Sequence, residues 1–201
     1  MSAEFRHVDE RVVHHGHIVS FVEATFVGPS GEEFQRDIVR HPGAACVVPL
    51  HDDGTVTMVR QFRAPLNADL LEIPAGKLDV EGEDPEPAVR RELAEEVGLA
   101  AERVELLVSV ALSPGFCDEI IHVFLAEGLS PVPSQAHGLE EEHMEVVRVP
   151  LRTVPDLIAR GELTDGKSII GLLATLRRME GGSAGPAAAT SDDPSRAARH
   201  G

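Results

Sequence analysis

Between Gly76 and Leu99 the chain reads GKLDVEGEDPEPAVRRELAEEVGL, and the glutamates of its second half fall at spacings that chemistry can use. If this half is a helix, Val89, Leu93 and Val97 repeat every four residues and make the buried stripe. Glu92 and Glu96 are also four apart, so they lie one above the other on a different face, with Glu95 beside them. Carboxylates this close repel one another and destabilise an isolated helix. A hard divalent cation would reverse that cost, because magnesium prefers oxygen ligands. Arg91 stands next to them and can orient one carboxylate through a two-pronged pair. Taken alone, such a face reads first as a solvated acidic surface with ordinary salt bridges, and second as a cation site.

The elements that must position this helix are marked by periodicity and turn residues. Strand signals run from His17 to Val27 and from Phe34 to Arg40, around a Gly28-Pro29-Ser30-Gly31 turn. Ala44 to Leu50 and Thr55 to Phe62 flank Asp52-Asp53-Gly54, a hairpin signal. A Pro-Ala-Gly loop leads to the helix, predicted from about Pro87 to Val97 and stopped by Gly98. Val104 to Ala111, Ile120 to Ala126 and Glu145 to Val149 read as further strands. Leu151 to Arg160 and Ser168 to Arg178 read as helices, the second with Ile169, Ile170, Leu172, Leu173 and Leu176 at helical spacing. Strands around an early helix, with helices late, predict an α+β fold rather than a regular βαβ sheet.

A chain of 201 residues, 42% of them hydrophobic, suits a single domain with one sizeable core. Lys and Arg total 18 against 34 Asp and Glu, a net charge of −16. Such a surface repels nucleic-acid backbones and anionic lipid, so neither nucleic acid nor membrane is expected as a partner. An anionic substrate would need divalent cations and a few local arginines to offset that field. Cys46 and Cys117 make no zinc pattern or disulfide framework, which fits a reducing cytoplasm. Met1 to Glu10 is polar, with no apolar signal segment, and no apolar run is long enough to span a bilayer. His14, His15 and His17 lie where a strand begins, lack convergent partners and read as surface histidines. From Gly181 to Gly201 the composition collapses to Gly, Ala, Ser, Asp, Pro and Arg, with single Thr and His residues, predicting a disordered tail. The organisation expected is a strand region over 1–40, a main domain over 41–180 and that tail.

The Gly76 to Leu99 stretch resembles the Nudix box. Glu83 precedes Arg91 by seven intervening residues, and RELAEEVGL from Arg91 to Leu99 matches the box throughout. Gly76 is separated from Glu83 by six residues where the box has five. The extra residue falls in a loop, where insertion costs little. The resemblance implies a mixed β-sheet sandwiched between α-helices (α/β/α), the box forming loop-helix-loop, here preceded by antiparallel strands. It also implies hydrolysis of a diphosphate joined to another moiety. Glu92 and Glu96, with Glu95 and the carbonyl of Ala75, would hold Mg²⁺, with Mn²⁺ as a substitute, and Arg91 and Glu95 enter the catalytic set.

Flanking residues resemble one branch of that family, the ADP-ribose pyrophosphatases. They are Arg60-Gln61-Phe62-Arg63, Glu72-Ile73-Pro74-Ala75-Gly76, Ser113-Pro114-Gly115-Phe116 and Arg36-Asp37-Ile38-Val39, with Pro114 fifteen residues beyond Leu99. The likeness implies cleavage of ADP-ribose to AMP and ribose 5-phosphate. Another nucleoside diphosphate sugar or a dinucleotide is the alternative, and a catalytically silent ligand-binding module a further one. Pro114 and the arginines Arg36 and Arg63 fall at substrate-contacting positions of the branch. A guanidinium can fork onto phosphate or stack on adenine, though either arginine also reads as a strand-edge surface charge. Glu72 and Glu119 are read either as substrate or metal-shell residues or as structural hydrogen-bonding groups.

In relatives of the branch a loop glutamate deprotonates the attacking water, and Leu139-Glu140-Glu141-Glu142-His143 lies at the matching place. Glu140 and Glu141 both fit, Glu141 also as a metal ligand, and Glu142 stays open. Branch relatives are homodimers whose N-terminal strands cross to the partner, and His17 to Arg40 is long enough to do this. The chain has no Trp and no Tyr, so adenine would stack on a phenylalanine such as Phe21 or on arginine, or bind loosely.

Overall fold

The computed structural model describes residues 4–80, 82–134 and 143–181. In chain order the strands are β1 (Arg6–His15), β2 (Ser20–Val27), β3 (Glu33–Arg40), β4 (Ala44–Pro49), β5 (Thr55–Arg63) and β6 (Ala68–Glu72). Then come β7 (Ala75–Lys77), helix α1 (Pro85–Val97), β8 (Leu99–Ala111), β9 (Ile120–Pro131) and β10 (Glu145–Pro150). Two late helices, α2 (Val154–Ala159) and α3 (Gly166–Met179), follow.

The strands sort into three sheets, in the orders β1-β2-β3, β10-β5-β6 and β7-β4-β9-β8. Only the last is mixed among the described residues: β4 runs parallel to β9, and every other pair is antiparallel. β4 lies at its centre and is buried along its whole length. Successive side chains of a strand point to opposite faces. Ala45 and Val47 therefore pack with Val89 and Leu93 of α1. Cys46 and Val48 face the other way, toward Leu172 of α3, Met58 and Ile73. Helix α3 comes this close because residue 171 is glycine: a Cβ there would fall 2.9 Å from Val123 and 3.0 Å from Val48. The α+β fold, with a mixed sheet between helices, is as expected.

Four local expectations needed correction. Asp52-Asp53-Gly54 does turn, with the Gly54 N–H on the His51 carbonyl at 2.9 Å, but β4 and β5 share only the bridge Leu50↔Val56. Each strand has two hydrogen-bonding edges, and both are taken: β4 by β7 and β9, β5 by β6 and β10. The Pro-Ala-Gly segment expected as a loop is in part strand β7, recruited by the β4 edge through Ala45↔Gly76 and Cys46↔Ala75. Helix α1 starts at Pro85, two residues before Pro87, because the first helical position needs no N–H donor. β1 was not anticipated, since all ten of its residues are exposed and no buried face imprints an apolar alternation on its sequence. No described helix is long and apolar enough to cross a membrane. Most of the expected tail, residues 182–201, lies outside the described residues.

Candidate active site

Helix α1 carries Glu92 and Glu96 toward strand β7 and its apolar stripe, Val89 and Leu93, into the core. Arg91 Nη1 donates to Glu92 Oε1 at 2.8 Å and to Glu95 Oε2 at 3.0 Å, while Nη2 reaches Glu83 Oε2 at 3.3 Å. One guanidinium thus offsets three carboxylates that would otherwise repel one another. Burial alone would lower the Arg91 pKa, but Glu83, Glu92 and Glu95 together hold it above the ordinary arginine value. The arginine is a fixed counter-charge.

The other two carboxylate contacts converge on the start of β7. Glu92 lies so close over Gly76 that a Cβ there would sit 2.1 Å from its carboxylate carbon. Glu96 Oε2 accepts the Ala75 N–H at 3.1 Å. The close approach of Glu92 that the missing Cβ allows, and donors that are carboxylate oxygens, fit a hard divalent cation. Among the described residues the acidic groups are not already gathered on one centre. In this arrangement Arg91 takes Glu92 and Glu95, and the β7 backbone takes Glu96. The extra residue between Gly76 and Glu83 leaves the Gly76–Glu92 contact intact.

Arg63, at the end of β5, is held by a fork: Nε donates to Glu72 Oε1 at 2.7 Å and Nη2 to Glu72 Oε2 at 2.5 Å. The Glu72 side chain is 1% exposed and also receives the Lys167 ammonium. Burial pushes the Glu72 carboxyl up, yet the Arg63 fork and Lys167 outweigh it and hold the group below its usual range. Arg63 is raised in turn, first by its bond to Glu72, with the fields of Asp165 and Glu96 adding to it. Of the two readings of Glu72, the structural one describes its contacts: it anchors Arg63.

Arg36 stays within β3, where its Nη1 donates to the Gln35 carbonyl at 2.7 Å and its guanidinium lies 4.6 Å over the Phe34 ring. The Ser113–Phe116 loop, with Pro114, docks on the end of the same strand. There the Val39 N–H meets the Phe116 carbonyl at 2.7 Å and the Asp118 N–H meets the Val39 carbonyl at 3.2 Å. Asp118 also accepts from Arg40 Nη1 at 3.0 Å and from the His41 N–H at 2.8 Å. Glu119 Oε1 is 3.5 Å from His41 Nδ1. Arg36 and Pro114 are therefore carried by segments tied together backbone to backbone. Phe21 is partly exposed on β2, opposite Val39. Glu140, Glu141 and Glu142 lie outside the described residues.

The family model of the NUDIX domain matches residues 39–169. The chain belongs to the Nudix family. It is 39% identical over 167 residues to the ADP-ribose pyrophosphatase of Bacillus subtilis (strain 168), which covers 83% of this chain and 90% of that protein. It is 42% identical over 142 residues to the methanol dehydrogenase activator of Bacillus methanolicus, covering 71% and 76% of the two chains. A crystal structure of an ADP compounds hydrolase superposes with a TM-score of 0.76 at 20% identity, over 89% of this chain and 95% of that one. That last likeness concerns the Nudix fold.

Some residues packed near these groups escaped the reading of spacing. Lys167 sits in the first turn of α3, between the N-cap Asp165 and Ser168. Asp165 Oδ2 accepts from the Ser168 N–H at 2.9 Å and from Lys167 Nζ at 3.0 Å. Ser168 Oγ accepts the Ile73 N–H at 2.8 Å, which ties α3 to the segment that leads into Ala75. A cation in the first turn opposes the helix dipole, and that misfit was the available signal that Lys167 has a partner elsewhere. Cys46 is buried and its thiol is pushed up to about 12, chiefly by burial, so it is an inert core group.

Proposed function

We propose that this Nudix hydrolase cleaves the diphosphate of ADP-ribose to AMP and ribose 5-phosphate. The observation that carries the reading is the meeting of the α1 glutamates with Ala75 and Gly76 of β7, one short segment beyond the Arg63–Glu72 pair. Glu92, Glu95, Glu96 and the Ala75 carbonyl, with Glu141, would hold Mg²⁺ or Mn²⁺. When bound, the metal would neutralise the diphosphate and acidify the attacking water. Arg91 positions Glu92 and Glu95. Arg63, held by Glu72, and Arg36 bind the substrate, with Pro114 and Glu119 on the loop beside it. Glu140 or Glu141 takes the proton as the water oxygen bonds to phosphorus and the bridging P–O bond breaks. The relative named ADP-ribose pyrophosphatase supports this substrate, and the free cysteines suit a cytoplasmic setting.

The test is a panel of diphosphates and nucleoside triphosphates with Mg²⁺, the products separated by chromatography. ADP-ribose is expected to yield AMP and ribose 5-phosphate in preference to triphosphates, and excess chelator to abolish turnover. Undiminished turnover in chelator overturns the metal mechanism. If ADP-ribose is inert while another nucleoside diphosphate sugar or a dinucleotide is cut, the substrate moves and the family stands. A relative named as an activator of another enzyme favours one second reading, a silent ligand-binding module, which predicts binding without product for every compound.

The working unit proposed is a homodimer. β1 is an edge strand carrying exposed Val8, Val12 and Val13, with Phe5 exposed just before it. An apolar, exposed edge is a template for pairing with another chain. Arg36 would then serve the neighbouring subunit's site. Light scattering on an active preparation at micromolar concentration is expected to give twice the chain mass, and a single-chain mass refutes this assembly.

A further inference from the structure

The α1 glutamates account for the chemistry at phosphorus, but they leave a buried lysine unexplained. The Lys167 side chain is 8% exposed, and its ammonium contacts Glu72 and Asp165. Asp165 is already engaged with the start of α3, accepting the Ser168 N–H and hydroxyl where the helix presents its own partial positive charge. Glu72 is the partner that Lys167 shares with Arg63. Glu72 also takes two of the donors of Arg63, Nε and Nη2, and leaves Nη1. An Arg63–Glu72 pair without Lys167 would be locally neutral and would offer an incoming diphosphate little attraction.

We propose that Lys167 is a positioning residue for substrate binding: it neutralises Glu72, so that Glu72 fixes the Arg63 fork without cancelling the charge Arg63 presents to the diphosphate. The inference rests on the reading of Arg63 as a substrate ligand. The placement supports it, because Lys167 and Arg63 Nη2 meet on the same oxygen, Oε2, of one buried carboxylate. Arg63 in turn lies within the field of Glu96, on the metal-binding face of α1. Lys167 needs no contact with substrate to do this.

The measurements are KM and kcat for ADP-ribose in the Mg²⁺-loaded full chain. Arg63→Gln comes first and is expected to raise KM about tenfold or more. If it leaves KM within about twofold, the reading of Arg63 fails, and the proposal with it. Lys167→Met is expected to raise KM about tenfold with kcat within about threefold, since a charge felt in both ground and transition states acts on binding. On a Glu72→Gln background the carboxylate that Lys167 shares with Arg63 is gone, and Lys167→Met should then change KM by less than about threefold. That comparison also serves if Lys167→Met alone fails to fold, because the double variant leaves no buried carboxylate unpaired. An unchanged KM in Lys167→Met beside a raised one in Arg63→Gln overturns the proposal while Arg63 stands. So does a rise of about tenfold on the Glu72→Gln background, which would mean that Lys167 acts directly.

Discussion

Glu96→Gln is expected to lower kcat on the order of 10²-fold or more while the protein remains folded. Glu96 takes the Ala75 N–H at 3.1 Å, and a glutamine carbonyl can accept the same bond, so strand β7 keeps its anchor. What the substitution removes is one negative charge from the face that would hold the metal. A 10²-fold loss corresponds to about 2.7 kcal/mol of transition-state stabilisation, the scale of one weakened ligand. The metal-free protein should be no less stable, because carboxylate repulsion around Glu92, Glu95 and Glu96 falls. Steady-state turnover at saturating Mg²⁺, paired with thermal unfolding in chelator, separates the two effects. Near wild-type turnover would mean that the box serves only to build the fold.

The second large effect is expected from the segment ahead of β10. Among Glu140→Gln, Glu141→Gln and Glu142→Gln, one variant should lose about 10²- to 10⁴-fold in kcat, the range of general-base contributions. KM should change far less, since the base acts only as the proton leaves the attacking water. A metal ligand would show a second signature. If Glu141 also holds the cation, its variant should need a higher Mg²⁺ concentration for half-maximal rate, and a pure base should not. If all three variants keep kcat within a few-fold, the base lies elsewhere in the chain.

Much of this site is a local property of the chain. Helix periodicity alone places Glu92 above Glu96 and sends Val89 and Leu93 inward, and α1 does both. Spacing from Glu83 to Arg91 puts the guanidinium within reach of three carboxylates, because that loop and first turn are short. The stop of the helix at Gly98 was readable for the same reason: it is set by residues within a turn of one another.

Tertiary structure decided what depends on distant partners. Which edge β4 offers, and to which strand, cannot be read from its own six residues, so Asp52-Asp53-Gly54 suggested a hairpin where the chain changes sheets. β7 is a strand only because β4 supplies its hydrogen bonds. Glu72 was ambiguous because its two cations lie 9 and 95 residues away along the chain. Lys167 carried only a faint local sign, a cation at the wrong end of a helix. Sequence spacing determined the glutamate-bearing helix because its geometry repeats every turn. The anchoring of Arg63 was left to the fold, since a buried ion pair exists only where folding brings its members together and removes the water between them.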